Sequence, residues 1–252
     1  MIDTAVDADH PDLHGRVAEQ RDLAGTAATS SASDRHGTEV AGVIAAVANN
    51  ELGIVGVAPG ARLHAYRACW TVDATGKARC DSYTLALALG AAIDAGADIV
   101  NLSLGGPSDA LLAELTTHAI EHGTLVVGAV PPDGRMDGFP VGVPGVIAVR
   151  AIGDAPAPAI GAPGRNILTL EPGGRYDFAS GSSLAAAHVS GALALLLELR
   201  PRLRGTELLA LLRDAQQGPD ESIDICRAVS AVKGGAACRA HGSAPLASVQ
   251  EP

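Results

Sequence analysis

The sequence predicts an α/β fold, a largely parallel sheet flanked by helices. Two patterns carry that expectation. Short apolar runs alternate with segments of helical periodicity. The runs are apolar nearly throughout, as strands covered on both faces require. In chain order the pattern predicts a helix over 36–48, a strand over 62–68 and a helix over 82–95 that ends at Gly96. A strand over 98–103, a helix over 108–122 ending at Gly123, and strands over 124–129 and 146–149 follow. The glycines suit left-handed helix caps. Helices over 183–199 and 206–215 complete the set, separated at Pro201, which stops the first of them. A chain of 252 residues has room for one large domain of this kind or two small ones.

Composition narrows the function classes. Aromatic residues are only 2%, so the core must be built from Ala, Val, Leu and Ile, with 30 glycines allowing close approach. A net charge of -10 argues against nucleic acid as a partner, because phosphate binding needs a basic face. No run of eighteen apolar residues occurs, so no membrane span is expected. A dinucleotide-binding reading fails for want of a G-x-G-x-x-G turn. The cysteines fall as two local pairs, Cys69/Cys80 and Cys226/Cys238, without the C-x-x-C spacing of a zinc site. They are either free thiols or two short-loop disulfides. Disulfides imply an oxidising compartment, and each adds roughly 3 kcal/mol. His10, His14, His118 and His122 read as solvated polar residues, and no metal-ligand set is expected.

The helix from Ser183 is apolar or small all round, which marks a central buried helix. Its N-terminus presents unpaired N–H groups and positive dipole. Ser183 there suits either a helix cap or chemistry on an oxyanion.

Three separated segments bear on that choice. They are D-T-A-V-D at 3–7 followed by H-P-D-L at 10–13, H-G-T-E-V-A-G at 36–42, and G-S-S-L-A-A at 181–186 continued by H-V-S-G at 188–191. Together they resemble the motif blocks of the subtilase family. The order Asp, His, Ser distinguishes that family from α/β-hydrolases (Ser, acid, His) and from chymotrypsin-like enzymes (His, Asp, Ser). N-N-E-L-G-I-V-G-V-A-P at 49–59, V-N-L-S-L-G-G at 100–106, and segments 139–149 and 162–164 extend the likeness. It covers residues 1–231; residues 232–252 form a small, polar tail expected to be loosely ordered.

The resemblance implies a three-layer subtilisin-like fold and a serine endopeptidase acting through an acyl-enzyme. Ser183 is the expected nucleophile, His36 the base and Asp3 its orienting carboxylate. Ser103, Leu104, Gly105 and Gly106 are expected to form the wall that pairs with an extended polypeptide substrate. The chemistry requires no cofactor. Many relatives bind a structural calcium at the segment 49–53, although this sequence does not identify the six to eight oxygens such an ion needs.

Three departures accompany the likeness. Pro132 stands where the family has the asparagine whose amide donates to the oxyanion, and proline offers neither a side-chain amide nor an N–H. Asp133, if protonated, and Arg135 are the alternative donors. Ala187 replaces a proline of the motif. Only two residues precede Asp3 where a full strand is expected. The chain is therefore expected to begin late, with Met1 internal to a longer precursor carrying the rest of the strand, any signal peptide and any inhibitory propeptide. The expected location is extracytoplasmic. Two readings remain: a peptidase with an atypical oxyanion hole, or a subtilase-fold pseudopeptidase that binds extended peptides without efficient cleavage.

Overall fold

The computed structural model describes residues 1–25, 34–72, 78–217 and 221–235. Its strands are β1 (Ile2–Asp3), β2 (Val17–Asp22), β3 (Leu63–Arg67), β4 (Cys69–Thr71), β5 (Ala78–Cys80), β6 (Ile99–Leu102), β7 (Leu125–Ala129) and β8 (Ile147–Ala151). They continue with β9 (Ile160–Ala162), β10 (Ile167–Glu171), β11 (Arg175–Ala179), β12 (Gln216–Gln217) and β13 (Ser222–Ile223). The helices are α1 (His36–Ala45), α2 (Ser82–Asp94), α3 (Ala110–Glu121), α4 (Ser182–Leu199), α5 (Gly205–Asp214) and α6 (Ile225–Lys233).

Nine strands form one sheet in the order β12-β13-β9-β8-β7-β6-β1-β3-β2, parallel except for the terminal β12–β13 pair. Strand β7 shows why its run had to be apolar. Leu125, Val127 and Ala129 face a core shared with α4, α5 and α6, while Val126 faces the core under α2 and α3. A third cluster packs α1 against Leu63, Ala65, Leu170 and Leu184. The architecture is thus the three-layer α/β arrangement expected from the sequence.

Helix α4 is the central helix. It is long and apolar enough to cross a membrane by composition, but Ala185, Ala186, Ala187, Val189, Leu193 and Leu196 are fully buried inside the protein. Each large apolar side chain so covered contributes about 1.5–3 kcal/mol, and the helix is a core element.

Some boundaries differ from expectation. Helix α1 stops at Ala45 because Gly56, Val57 and Ala58 donate to the carbonyls of Ala46, Val43 and Ile44, turning the helix end into a docking point for the following chain. Helix α6, not foreseen, runs through the expected boundary at 231 and ends on left-handed Gly234; the remainder of the tail, from residue 236, lies outside the described residues. His10 is buried, not solvated. Its Nδ1 accepts the Asp12 N–H, its Nε2 lies 3.0 Å from the Arg175 carbonyl, and its ring meets Tyr176 edge-on.

Strand β1, at two residues, is the shortest central element, yet it pairs with β3 on one side and β6 on the other. The Met1 nitrogen continues that ladder by donating to the His64 carbonyl at 2.7 Å.

Candidate active site

Strand β1, held between β3 and β6, ends on Asp3, and α1 begins on His36. His36 Nδ1 lies 2.7 Å from Asp3 Oδ1, which also accepts the Thr4 N–H at 2.7 Å. Asp3 is 4% exposed, and its second oxygen has no partner among the described residues. Desolvation works against a charged imidazole. The Asp3 carboxylate, through its charge and its hydrogen bond, and Glu39 behind it outweigh that effect and raise the His36 pKa to about 9. The pair is sewn together by backbone contacts. Gly37 N–H donates to Thr4 Oγ1 at 2.9 Å and Asp7 N–H to Thr38 Oγ1 at 2.9 Å. A side chain at position 37 would put its Cβ 2.4 Å from the Thr4 carbonyl, so only glycine permits this approach.

Ser183 occupies the second position of α4, and Gly181, not a serine side chain, is the N-cap. The capping alternative is therefore overturned. Ser183 Oγ instead donates to the Ser103 carbonyl at 3.2 Å, and Ser103 Oγ donates to the Ser183 carbonyl at 2.9 Å. Among the described residues no hydrogen bond joins Ser183 to His36: Asp3 and His36 are paired, and the Ser183 hydroxyl points elsewhere.

A cleft of about 690 Å³ opens beside these residues, lined by Asp3 and His36, by Ser103, Leu104, Gly105 and Gly106, and by the β4–β5 hairpin. The Cys69–Cys80 disulfide closes the base of that hairpin. Cys226 is also disulfide-bonded, and its expected partner Cys238 lies outside the described residues. Gly106 differs from its three neighbours. Both its N–H and its carbonyl pair with Phe139.

Pro132 is exposed in a turn that Gly134 N–H closes onto the Pro131 carbonyl. It lines no part of the cleft. Neither alternative donor reaches inward: Asp133 accepts the Arg135 N–H, and the Arg135 guanidinium forks onto Asp137 at 3.2 Å on the surface.

The segment 49–53 folds around one carboxylate. The carboxylate at its centre, Asp12, is fully buried. Its oxygens accept from Asn50 Nδ2 at 2.5 Å, Ile54 N at 3.0 Å and Tyr176 Oη at 3.1 Å. No group of three or more His, Cys, Asp or Glu side chains converges among the described residues.

Sequence reasoning missed three supporting residues. Asp34 is buried two positions before His36 and accepts from Ala5 N at 3.2 Å, Arg67 Nε at 2.8 Å and Thr71 N at 2.8 Å. It thereby ties β3, β4 and the loop after β1 to the start of α1. Asn101 and Ser190 are buried and bonded to each other at 2.9 Å. The available signal was a polar residue inside an apolar run, as with Asn101 in its strand.

The Subtilase family model matches residues 1–224. A thermophilic serine proteinase of Bacillus sp. (strain AK1) is 36% identical over 208 residues, 78% of this chain and 51% of its own length. A subtilisin of Bacillus pumilus is 34% identical over 217 residues, 80% of this chain and 76% of its own. Among solved structures, fervidolysin from Fervidobacterium pennivorans, described as a keratinolytic enzyme related to subtilisin, superposes with a TM-score of 0.76 at 30% identity. That match covers 91% of this chain and 41% of fervidolysin. The chain thus spans about half the length of the first of these relatives.

Proposed function

Since the chain belongs to the subtilase family of serine peptidases, we propose that it is an endopeptidase cutting extended polypeptides with Asp3, His36 and Ser183. In this reading Ser183 attacks the carbonyl, and His36 takes its proton and returns it to the leaving amine. Asp3 holds the ring's tautomer and balances its charge. The observation that carries the reading is the 2.7 Å contact between a buried carboxylate and an imidazole at the mouth of a peptide-sized cleft. The substrate strand lies between 103–105 and the β5 edge. The oxyanion is held by the Ser183 N–H at the positive end of α4, without a second donor from Pro132. The Cys69–Cys80 disulfide supports an extracytoplasmic setting.

A second reading, a pseudopeptidase that binds peptides without efficient cleavage, draws on the proline at the oxyanion position and on the Ser183 hydroxyl lying on Ser103. Labelling with a fluorophosphonate probe separates the two. Wild type is expected to label and Ser183→Ala to stay unlabelled; folded wild type that takes no label favours the pseudopeptidase.

A further inference from the structure

Helix α4 and strand β6 meet along a seam that is polar where its surroundings are apolar. Positions 183 and 190 are two helical turns apart and share one face of α4, while positions 101 and 103 share one face of the β6 strand path. Across the seam Ser190 Oγ donates to Asn101 Oδ1 at 2.9 Å and Asn101 Nδ2 donates to Ser103 Oγ at 2.9 Å. Ser103 Oγ donates in turn to the Ser183 carbonyl at 2.9 Å. Ser103, Asn101 and Ser190 are 5%, 3% and 3% exposed, so water does not compete for these bonds.

The bonding has one direction only. The Ser103 hydroxyl proton is committed to the Ser183 carbonyl, so its oxygen must accept from Asn101. That turns the amide oxygen of Asn101 toward Ser190. Three buried polar groups carry a desolvation cost that an apolar seam avoids. What sets this seam apart is its end point, a residue whose carbonyl and hydroxyl are both fixed by Ser103.

Resting on the reading of Ser183 as the nucleophile, we propose that Ser190, Asn101 and Ser103 form a positioning relay that sets the orientation of Ser183. None of the three touches the reacting bond through its side chain; they act through Ser183. With no donor at position 132, the direction of the Ser183 backbone governs the remaining oxyanion contact, so turnover is sensitive to this relay.

The test measures kcat, KM, titratable active sites and melting temperature for Ser190→Ala and for the double variant Asn101→Leu/Ser190→Ala. The double variant replaces both partners of a buried hydrogen bond by apolar groups, which leaves stability nearly unchanged. Its kcat is expected to fall by about 10- to 100-fold, the scale of a small misplacement of a reacting group. KM and the midpoints of the pH–rate profile stay at their wild-type values. Ser190→Ala alone falls less and decides the matter if the double variant does not fold. Ser190→Thr, which keeps the hydroxyl, retains the wild-type kcat. A kcat within about twofold of wild type in the folded variants, tested against the normal tenfold-per-1.4 kcal/mol scale, overturns the relay. So does a loss seen wholly as fewer titratable sites or a raised KM. Wild type with no Ser183-dependent label refutes the peptidase reading itself and the relay with it.

Discussion

Replacing Asp3 by Asn tests the centre of the proposed chemistry. In the wild type, burial disfavours the imidazolium, but Asp3 at 2.7 Å and Glu39 raise the His36 pKa from 6.5 to about 9. That rise corresponds to about 3 kcal/mol of preference for the charged ring. A general base must be neutral, so the acid limb of kcat/KM is expected near 9, well above an ordinary histidine. In Asp3→Asn the raising carboxylate is gone and desolvation remains, so the limb moves down to 6.5 or below. At the same time kcat falls by about 10⁴-fold, the cost measured elsewhere when a triad carboxylate becomes its amide. Stability follows the same linkage. With the folded-state pKa raised, the stabilisation from the charged pair is fully present below 6.5 and is lost as pH rises through about 9. The melting-temperature gap between wild type and Asp3→Asn therefore narrows between those values. The assays are kcat/KM against pH on a peptide amide, NMR titration of the His36 ring and thermal melts across the same range. A wild-type His36 that titrates at or below 6.5, or an acid limb that Asp3→Asn leaves in place, would refute the reasoning.

Further outcomes follow from the same geometry. Pro132→Asn is expected to leave kcat within about twofold of wild type, because position 132 is exposed and lines no part of the cleft, although an amide that did reach the oxyanion is worth about 100- to 1000-fold; steady-state kinetics on matched active-site titres checks it. Asp34→Ala leaves the buried Arg67 guanidinium without one of the two carboxylates it meets among the described residues. It is expected to cost about 3–5 kcal/mol in denaturant melts, with a far smaller effect for a surface change such as Asp137→Ala. Excess chelator or added calcium is expected to leave the melting temperature unchanged, because Asp12 is occupied by donors from Asn50, Ile54 and Tyr176. A saturable calcium-dependent rise in a thermal scan would show that the segment binds the ion after all.

Much of the fold was legible from local pattern. The apolar runs that became β3, β6, β7 and β8 were readable because strands covered on both faces cannot carry charge. The helix α4 was readable because it is apolar all round. Strand β2 escaped notice, since an exposed edge with the sequence VAEQRD carries no such pattern. Helix α6 and the β4–β5 hairpin escaped for a similar reason, being short elements held by their neighbours. Asp3, His36 and Ser183 were legible as motif positions. Their motifs stand far apart in the chain, and each constrains a backbone shape such as the glycine at 37 that lets α1 approach the end of β1.

The chain alone thus determined the family, the layer architecture and the identity of the candidate catalytic groups, because these depend on residue type and local order. Only the tertiary structure decided what those groups touch. It brought Asp3 and His36 to 2.7 Å, turned the Ser183 hydroxyl onto Ser103, and withdrew Gly106 to Phe139. It also filled the segment 49–53 around Asp12 with donors and linked Ser190 to Ser183 through Asn101 and Ser103. The physical reason is that hydrogen bonds and buried charges are set by distance and direction between elements remote in sequence. Hydrophobic patterning records only which face of each element is covered.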